Sequence, residues 1–296
     1  MKKLICAALA AMCVGTLFSG CTNAKTPPEG FLAPPEIGFM AAAQFEGYKL
    51  GTVPSLVPES TIENELPGAY VLTYKNPTKG LHALTEKDIH GMVLPVLYAD
   101  EEIKKTPGIE KIELTFIEKK ISAILLNDSN FVLPVDAAIT SLNGSKKSHK
   151  IALSHSPYAT DENAYTRPTD YEKAPGRVLR VGISSNDNAP YNYHENGELV
   201  GVNVDMAYEF AAFANADLEI KEYPKDKLEE ALRNKEVDVI LADFVLDETK
   251  YEEKEFSGLL FSDSYSDASI VIVVKSEYVG HSKDILAQLE AGQIAE

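Results

Sequence analysis

The side chains able to do covalent or metal chemistry are few and scattered. His82, His90, His149, His155, His194 and His281 form no metal-ligand spacing, and the nearest suggestive pair, His82 and His90, lies eight apart across a predicted helix end. Cys6 and Cys13 sit in an apolar N-terminal run and Cys21 follows it. Removal of that run leaves Cys21 alone, without a partner for a disulfide or a thiolate metal site. No Gly-x-Ser-x-Gly elbow occurs, and Gly182, after the first strand of the C-terminal half, is followed by no glycine-rich phosphate loop. Acidic runs such as Asp247-Glu248 and Glu252-Glu253 read as solvated faces. These patterns offer no catalytic residue, no metal site and no cofactor motif. Asp243 closes a predicted buried strand, and open α/β sheets gather ligands at the carboxyl ends of their strands.

Met1-Lys2-Lys3 is a short basic start, and Leu4 to Phe18 is apolar but shorter than the ~20 residues a bilayer span needs. Residues 1–20 therefore read as a signal peptide. Leu17-Phe18-Ser19-Gly20-Cys21 resembles a bacterial lipobox, with Phe18 where an aliphatic residue is usual; the resemblance implies acylation of Cys21 and a protein held on a membrane, facing the periplasm or the cell exterior. Residues 21–36, with Pro27, Pro28, Pro34 and Pro35, read as an extended tether. The net charge of -17 includes Lys2 and Lys3, so the chain without its leader carries -19, a surface that repels phosphate backbones and excludes nucleic acid as a partner.

From Arg177 the pattern is regular α/β. Strands are predicted at Val178–Ile183, Glu198–Val202, Asp217–Tyr223, Val237–Ala242 and Ser269–Lys275, with Asn196-Gly197 as a turn. A helix begins at Asn203 or Asp205, capped by Asn203, with Met206, Ala207, Phe210 and Ala211 at helical spacing, and another spans Asp226–Asn234. Such alternation implies a mainly parallel sheet flanked by helices. Leu179-Arg-Val-Gly182, Ala189-Pro-Tyr191, Gly197-Glu-Leu-Val-Gly201-Val-Asn-Val-Asp205, Glu236-Val-Asp-Val-Ile240 and Phe261-Ser-Asp-Ser-Tyr265 resemble, in order and spacing, the first lobe of the periplasmic amino-acid-binding proteins, the family 3 solute-binding proteins of ABC transporters. The resemblance implies a two-lobed "Venus flytrap" fold.

The second lobe is expected upstream. Phe45-Glu-Gly-Tyr-Lys-Leu-Gly-Thr52, Glu63 to Gly68, Tyr70 to Tyr74, a short helix Gly80 to Thr85, His90 to Pro95 and Pro107 to Ile112 resemble that lobe in sequence order; Ile121 to Leu126, with a helix Phe131 to Leu142, resembles the return into the first. Ala43-Gln-Phe-Glu-Gly47 and Ala287-Gln-Leu-Glu-Ala291 look like copies of one structural position. The expectation is a circularly permuted flytrap: second-lobe-like 37–120, return segment 121–154, linker 155–176, first-lobe-like 177–275 and a hinge-proximal tail 276–296. The segment around Glu118 to Ser122 would then be the one original covalent hinge. The alternative is a remnant of tandem binding domains.

In family members that bind α-amino acids, an arginine and a helix N-terminus meet the carboxylate and an acidic residue meets the ammonium, because a zwitterion in a dry cleft needs both charges paired. Here the arginine's place is taken by Lys250, or by Lys254 if an insertion lies earlier, and the acid's by Pro95; Asn188 and Lys225 replace the aromatic platforms. Ser55 and Val57 stand at the second lobe's helix start, Tyr191, Tyr193 and Phe244 can stack, and Asp187 and Asp243 can pair a cation. The resemblance implies a small-molecule ligand other than a standard α-amino acid, and ABC-transporter membrane subunits as partners. The alternative is a sensory or interaction lipoprotein that keeps the fold without a working site.

Overall fold

The computed structural model describes residues 29–36, 38–245 and 258–281. The chain forms two compact units, unit 1 from Met1–Glu118 with Ser269–Glu296 and unit 2 from Lys119–Ala268.

Unit 1 runs β1 (Lys49–Thr52), α1 (Glu59–Glu65), β2 (Tyr70–Thr73), α2 (Pro77–Thr85), β3 (Gly91–Pro95), α3 (Val96–Lys105) and β4 (Ile109–Lys111), and takes in β12 (Ile270–Lys275) from late in the chain. Pro77 opens α2, and the Asn76 side chain accepts the Lys79 N–H, an N-cap that ends the preceding loop sharply. The sheet order is β2-β1-β3-β12-β4. β1 pairs in parallel with β2 and β3, and β12 is antiparallel to both β3 and β4. Because side chains alternate across a strand, Val93 and Ile272 pack with Phe39, Phe45 and Ile62 on one face, while Met92 and Val273 pack with Leu81, Leu84 and Ala99 on the other. Each such buried aliphatic side chain contributes roughly 1.5–3 kcal/mol of transfer free energy.

Unit 2 runs β5 (Lys120–Leu126), α4 (Val132–Gly144), α5 (Lys147–Ser154), β6 (Val178–Ser184), the ribbon β7 (Tyr193–Glu195) and β8 (Glu198–Val200), α6 (Val202–Phe213), β9 (Asp217–Tyr223), α7 (Leu228–Arg233), β10 (Val239–Val245) and β11 (Leu259–Asp267). Its main sheet has the order β11-β5-β10-β6-β9. β6 is parallel to β9 and β10, and β5 is antiparallel to β10 and β11. Leu179, Val181 and Ile183 face α4 and α6, where Ile139 and Phe210 are fully buried; Ile124 and Ile240 face α7.

The two sheets share one plan. Counting strands along each half of the chain, the order is second, first, third, an inserted antiparallel strand, fourth, and the inserted strand comes from the other half: β5 in unit 2, β12 in unit 1. The chain is thus α/β, each five-stranded sheet being mixed, with a parallel part (β2-β1-β3 in unit 1, β10-β6-β9 in unit 2), and flanked by helices.

Several expectations are corrected. Ile270–Lys275 does not close the sheet of residues 177–275; its ladder partners are β3 and β4, so the boundary lies at Ala268. The chain consequently passes between the units twice, after Glu118 and after Ala268, and not through one covalent hinge. Gly201, not Asn203, is the N-cap of α6, and the predicted helix Asp226–Asn234 divides into a 3-10 turn Lys225–Lys227 and α7. In the stretch read as a tether, Lys49 Nζ donates to the Gly30 carbonyl and the Tyr48 hydroxyl to that of Ala33, which docks residues 29–36 on unit 1.

Candidate functional site

The loop after β6 and the first residue of β7 carry four of the nine expected ligand groups, and a buried chain of amides holds the loop. Asn192 is buried and its Nδ2 donates to the carbonyls of Ser184 (3.0 Å) and Asn186 (2.9 Å). Asn203 Nδ2 donates to Asn192 Oδ1 at 3.3 Å and to the Leu241 carbonyl at 3.4 Å, and Tyr265 donates its hydroxyl to Asn203 Oδ1 at 2.7 Å. Side-chain amides can do this because each offers two donors and an acceptor, so β6, α6, β10 and β11 meet without an unsatisfied group at that point. The first α6 amides close the circle: Val202 N–H donates to the Pro190 carbonyl and Asn203 N–H to that of Tyr191.

This frame places Asp187, Asn188, Tyr191 and Tyr193 together at the carboxyl end of β6. Asn188 is half-buried and bridges Asn192 through the backbone, and Tyr191 is half-buried against the core. Asp187 is exposed, and its Oδ1 faces His194 Nδ1 at 2.9 Å and accepts the His194 N–H at 3.1 Å. That hydrogen bond holds the Asp187 carboxyl below the usual range and raises His194 above its ordinary value, with Glu222 3.5 Å from the other ring nitrogen. Tyr193 points its hydroxyl toward His155 Nδ1 at 3.4 Å, and burial, then Glu195 and Asp205, raise its pKa.

Asp243 and Phe244 stand on the last residues of β10, the carboxyl end of that strand. Lys250, Lys254 and Cys21 lie outside the described residues. In unit 1, Ser55 is exposed in the turn after β1, whereas Val57 is fully buried among Leu50, Ile62 and Val93; its side chain is core, because its N–H and C=O are spent on Val53 and Thr52 in closing that turn. Pro95 ends β3 and caps α3.

Residues 155–176, read as a linker, form the second notable cluster of unit 2. Asp205, 3% exposed, accepts from Arg167 Nε at 2.5 Å and meets His155 Nε2 at 2.7 Å. One turn on, Glu209, 2% exposed, accepts from the Tyr165 hydroxyl at 2.6 Å and pairs with Lys147 at 2.6 Å. Burial and then the Glu209 contact push the Tyr165 hydroxyl far up. Arg167 also lies 5.0 Å over the Tyr208 ring, and the cluster floors an open groove of about 700 Å³. The local signal for it was two acids four apart on a helix that is otherwise apolar apart from Asn203 and the Tyr208 hydroxyl: carboxylates there need partners.

Residues 179–290 match the bacterial extracellular solute-binding proteins, family 3. A probable histidine-binding protein of Neisseria gonorrhoeae is 28% identical over 121 residues, which is 40% of this chain and 43% of that protein. The arginine-binding extracellular protein ArtP of Bacillus subtilis (strain 168) is 31% identical over 101 residues, 34% of this chain and 37% of that protein. The chain thus spans about two-fifths of the length of the curated relatives it matches. Among solved structures, a phosphate-binding protein of a phosphate ABC transporter from Streptococcus pneumoniae TIGR4 has 12% identity and a TM-score of 0.38, over 84% of this chain and 97% of that one. The segment that carries the loop after β6, the α6 frame and β9 to β12 is thus similar to the bacterial extracellular solute-binding proteins of family 3.

Proposed function

We propose that this chain is an exported, lipid-anchored solute-binding protein, not an enzyme, that captures a small polar or amino-acid-like molecule other than a standard α-amino acid and delivers it to the membrane subunits of an ABC transporter. The observation that carries the reading is the family match over 179–290 together with the polar and aromatic loop held at the carboxyl end of β6. Two relatives are named for histidine and arginine, but by the resemblance the positions that pair a zwitterion in such proteins hold Lys250, or Lys254 if an insertion lies earlier, and Pro95 here. A lysine supplies charge without a planar two-pronged contact, and a proline supplies none. A permuted chain order, second lobe first, accounts for the family match lying in the C-terminal part. A second reading, a fold kept without a working site, is favoured by Asp187 being engaged by His194 and Tyr193 by His155.

Thermal unfolding of the soluble chain from Thr22 onward, against amino acids, amines, short peptides and small oxoacids, separates the two. A ligand present at 100 times its Kd adds about 2.7 kcal/mol, a melting shift of several degrees. Standard α-amino acids are expected to give none. Silence across every class selects the second reading. For the anchor, metabolic labelling with an alkynyl fatty acid is expected to mark the protein in its native host, and Cys21→Ser to abolish the label and release the protein from the membrane fraction; label retained on Cys21→Ser refutes the lipid assignment.

A further inference from the structure

His90 is fully buried at the entry to β3, yet both its ring nitrogens are used on backbone: the Lys49 N–H donates to Nδ1 (3.2 Å), and Nε2 stands 3.1 Å from the Leu32 carbonyl. An N–H donor on Nδ1 and a carbonyl on Nε2 select one state of the ring, neutral with its proton on Nε2. The Leu32 carbonyl belongs to residues 29–36. That segment is held by four further contacts: Phe31 stacks on the His90 ring at 4.3 Å, Phe31 lies 5.9 Å from Tyr278, Lys49 Nζ donates to the Gly30 carbonyl, and the Tyr48 hydroxyl donates to the Ala33 carbonyl.

We propose that residues 29–36 are a strap docked on unit 1 by neutral His90 and released when that ring takes a proton. A proton on Nδ1 would face the Lys49 N–H, donor against donor, and among the described residues no carboxylate is hydrogen-bonded to the ring. The charged neighbours are Lys49 on β1 and, around Tyr278, Lys87, Lys275 and Glu277; Glu277 pairs with both lysines, and Glu29 and Glu36 of the strap are exposed. Burial, with Lys49 adding to it, lowers the His90 pKa in the docked state. Docking is therefore complete above the free imidazole value of about 6.5 and weakens as pH falls through the lower docked value, by up to about ten-fold per pH unit in that window.

The consequence for reach rests on acylation of Cys21; the switch does not. With the strap docked at Gly30, the leash from Cys21 extends on the order of 30 Å, and with the strap free to Phe39, which pairs with Val279, on the order of 60 Å.

The soluble chain from Thr22 has no cysteine, so Ala33→Cys, at an exposed position, takes a single spin label. Its electron paramagnetic resonance spectrum is expected to be immobilised at pH 7.5 and to gain about a ten-fold larger mobile-to-immobile ratio at pH 5.5, with a midpoint matching the His90 ring titration followed by 15N NMR in the same protein. His90→Gln keeps a donor and an acceptor but does not titrate, and should show no pH response. A mobile fraction equal at both pH values, or a transition displaced from the His90 titration, overturns the proposal. Because the spectrum and the titration are read on one protein, the result stands even where His90→Gln does not fold.

Discussion

Asp205→Asn is expected to lower the stability of unit 2 by about 3 kcal/mol and its melting temperature by about 10 °C, leaving the unit 1 transition in place. The substitution keeps shape and removes charge. Asp205 is almost wholly buried and accepts from Arg167 while facing His155, so the asparagine leaves a guanidinium, with its side chain 31% exposed, beside a neutral amide. Breaking a buried pair from one side costs more than the pair contributes, because the remaining charge loses its solvent without its partner. Part of that loss is recovered here as Arg167 turns toward water, which sets the figure at the lower end of the usual range. The anchoring role adds a second readout. Residues 155–176 connect α5 to β6, and their polar hold on α6 is the Arg167–Asp205 ion pair with hydrogen bonds from His155 to Asp205 and from Tyr165 to Glu209. Scanning calorimetry of the wild type, Asp205→Asn, Arg167→Ala and the double variant should give a coupling of about 2 kcal/mol, since the partners share one contact. His155→Ala, which removes a hydrogen bond but need not strand a charge, should cost about 1 kcal/mol. A shift below 2 °C for Asp205→Asn would mean that the linker is held by its other contacts, such as Tyr165 to Glu209 and Lys173 to Asp217, and not by Asp205.

How much of this was legible in advance follows from the range over which each feature is specified. β9 was predicted to the residue, Asp217–Tyr223, because alternating side chains end at Pro224, a local stop. β5 and β6 were also placed within one residue, β5 through its resemblance to the return segment of the family. The sheet to which Ile270–Lys275 belongs was not legible. A run of β-branched residues says that a strand is buried on both faces and nothing about its neighbours, and those neighbours, β3 and β4, lie more than 150 residues away. The linker cluster failed likewise: Arg167 and His155 meet Asp205 across 38 and 50 residues, and a polar, proline-containing stretch reads as solvated unless its partners are known. The candidate residues of the loop after β6 could be grouped from the sequence because they lie within seven positions of one another. What each side chain touches was not legible, since His194 and His155 reach Asp187 and Tyr193 through the turn of β7 and through the docked linker. Asn203 shows the limit of capping rules: an amide at the start of a helix is a good cap, but a buried amide that can join three elements is worth more inside the helix, and Gly201 takes the cap instead.

Gly201 is also where the largest single effect on the loop is expected. Its φ is +127° with ψ 175°, a conformation that L side chains rarely adopt, and a Cβ there would lie 2.4 Å from the Tyr191 carbonyl oxygen and 2.7 Å from its carbon. Both atoms are backbone, so nothing flexible can move aside. That carbonyl accepts the Asn203 N–H at 2.8 Å, and the neighbouring Pro190 carbonyl accepts the Val202 N–H. Making room for a methyl group therefore separates the loop that carries Asp187 to Tyr193 from the first turn of α6. The expected cost of Gly201→Ala is about 3–5 kcal/mol, the sum of backbone strain and two lost helix-start hydrogen bonds. Gly197→Ala supplies the contrast, because Gly197 has φ +83° but open space around its missing Cβ, and should lose only about 1 kcal/mol from the left-handed backbone. Urea unfolding of both variants separates clash from strain: near-equal losses would show that the loop yields at Tyr191, whereas the expected gap of at least 2 kcal/mol shows that the close approach of α6 to this loop is what holds the candidate ligand groups in place.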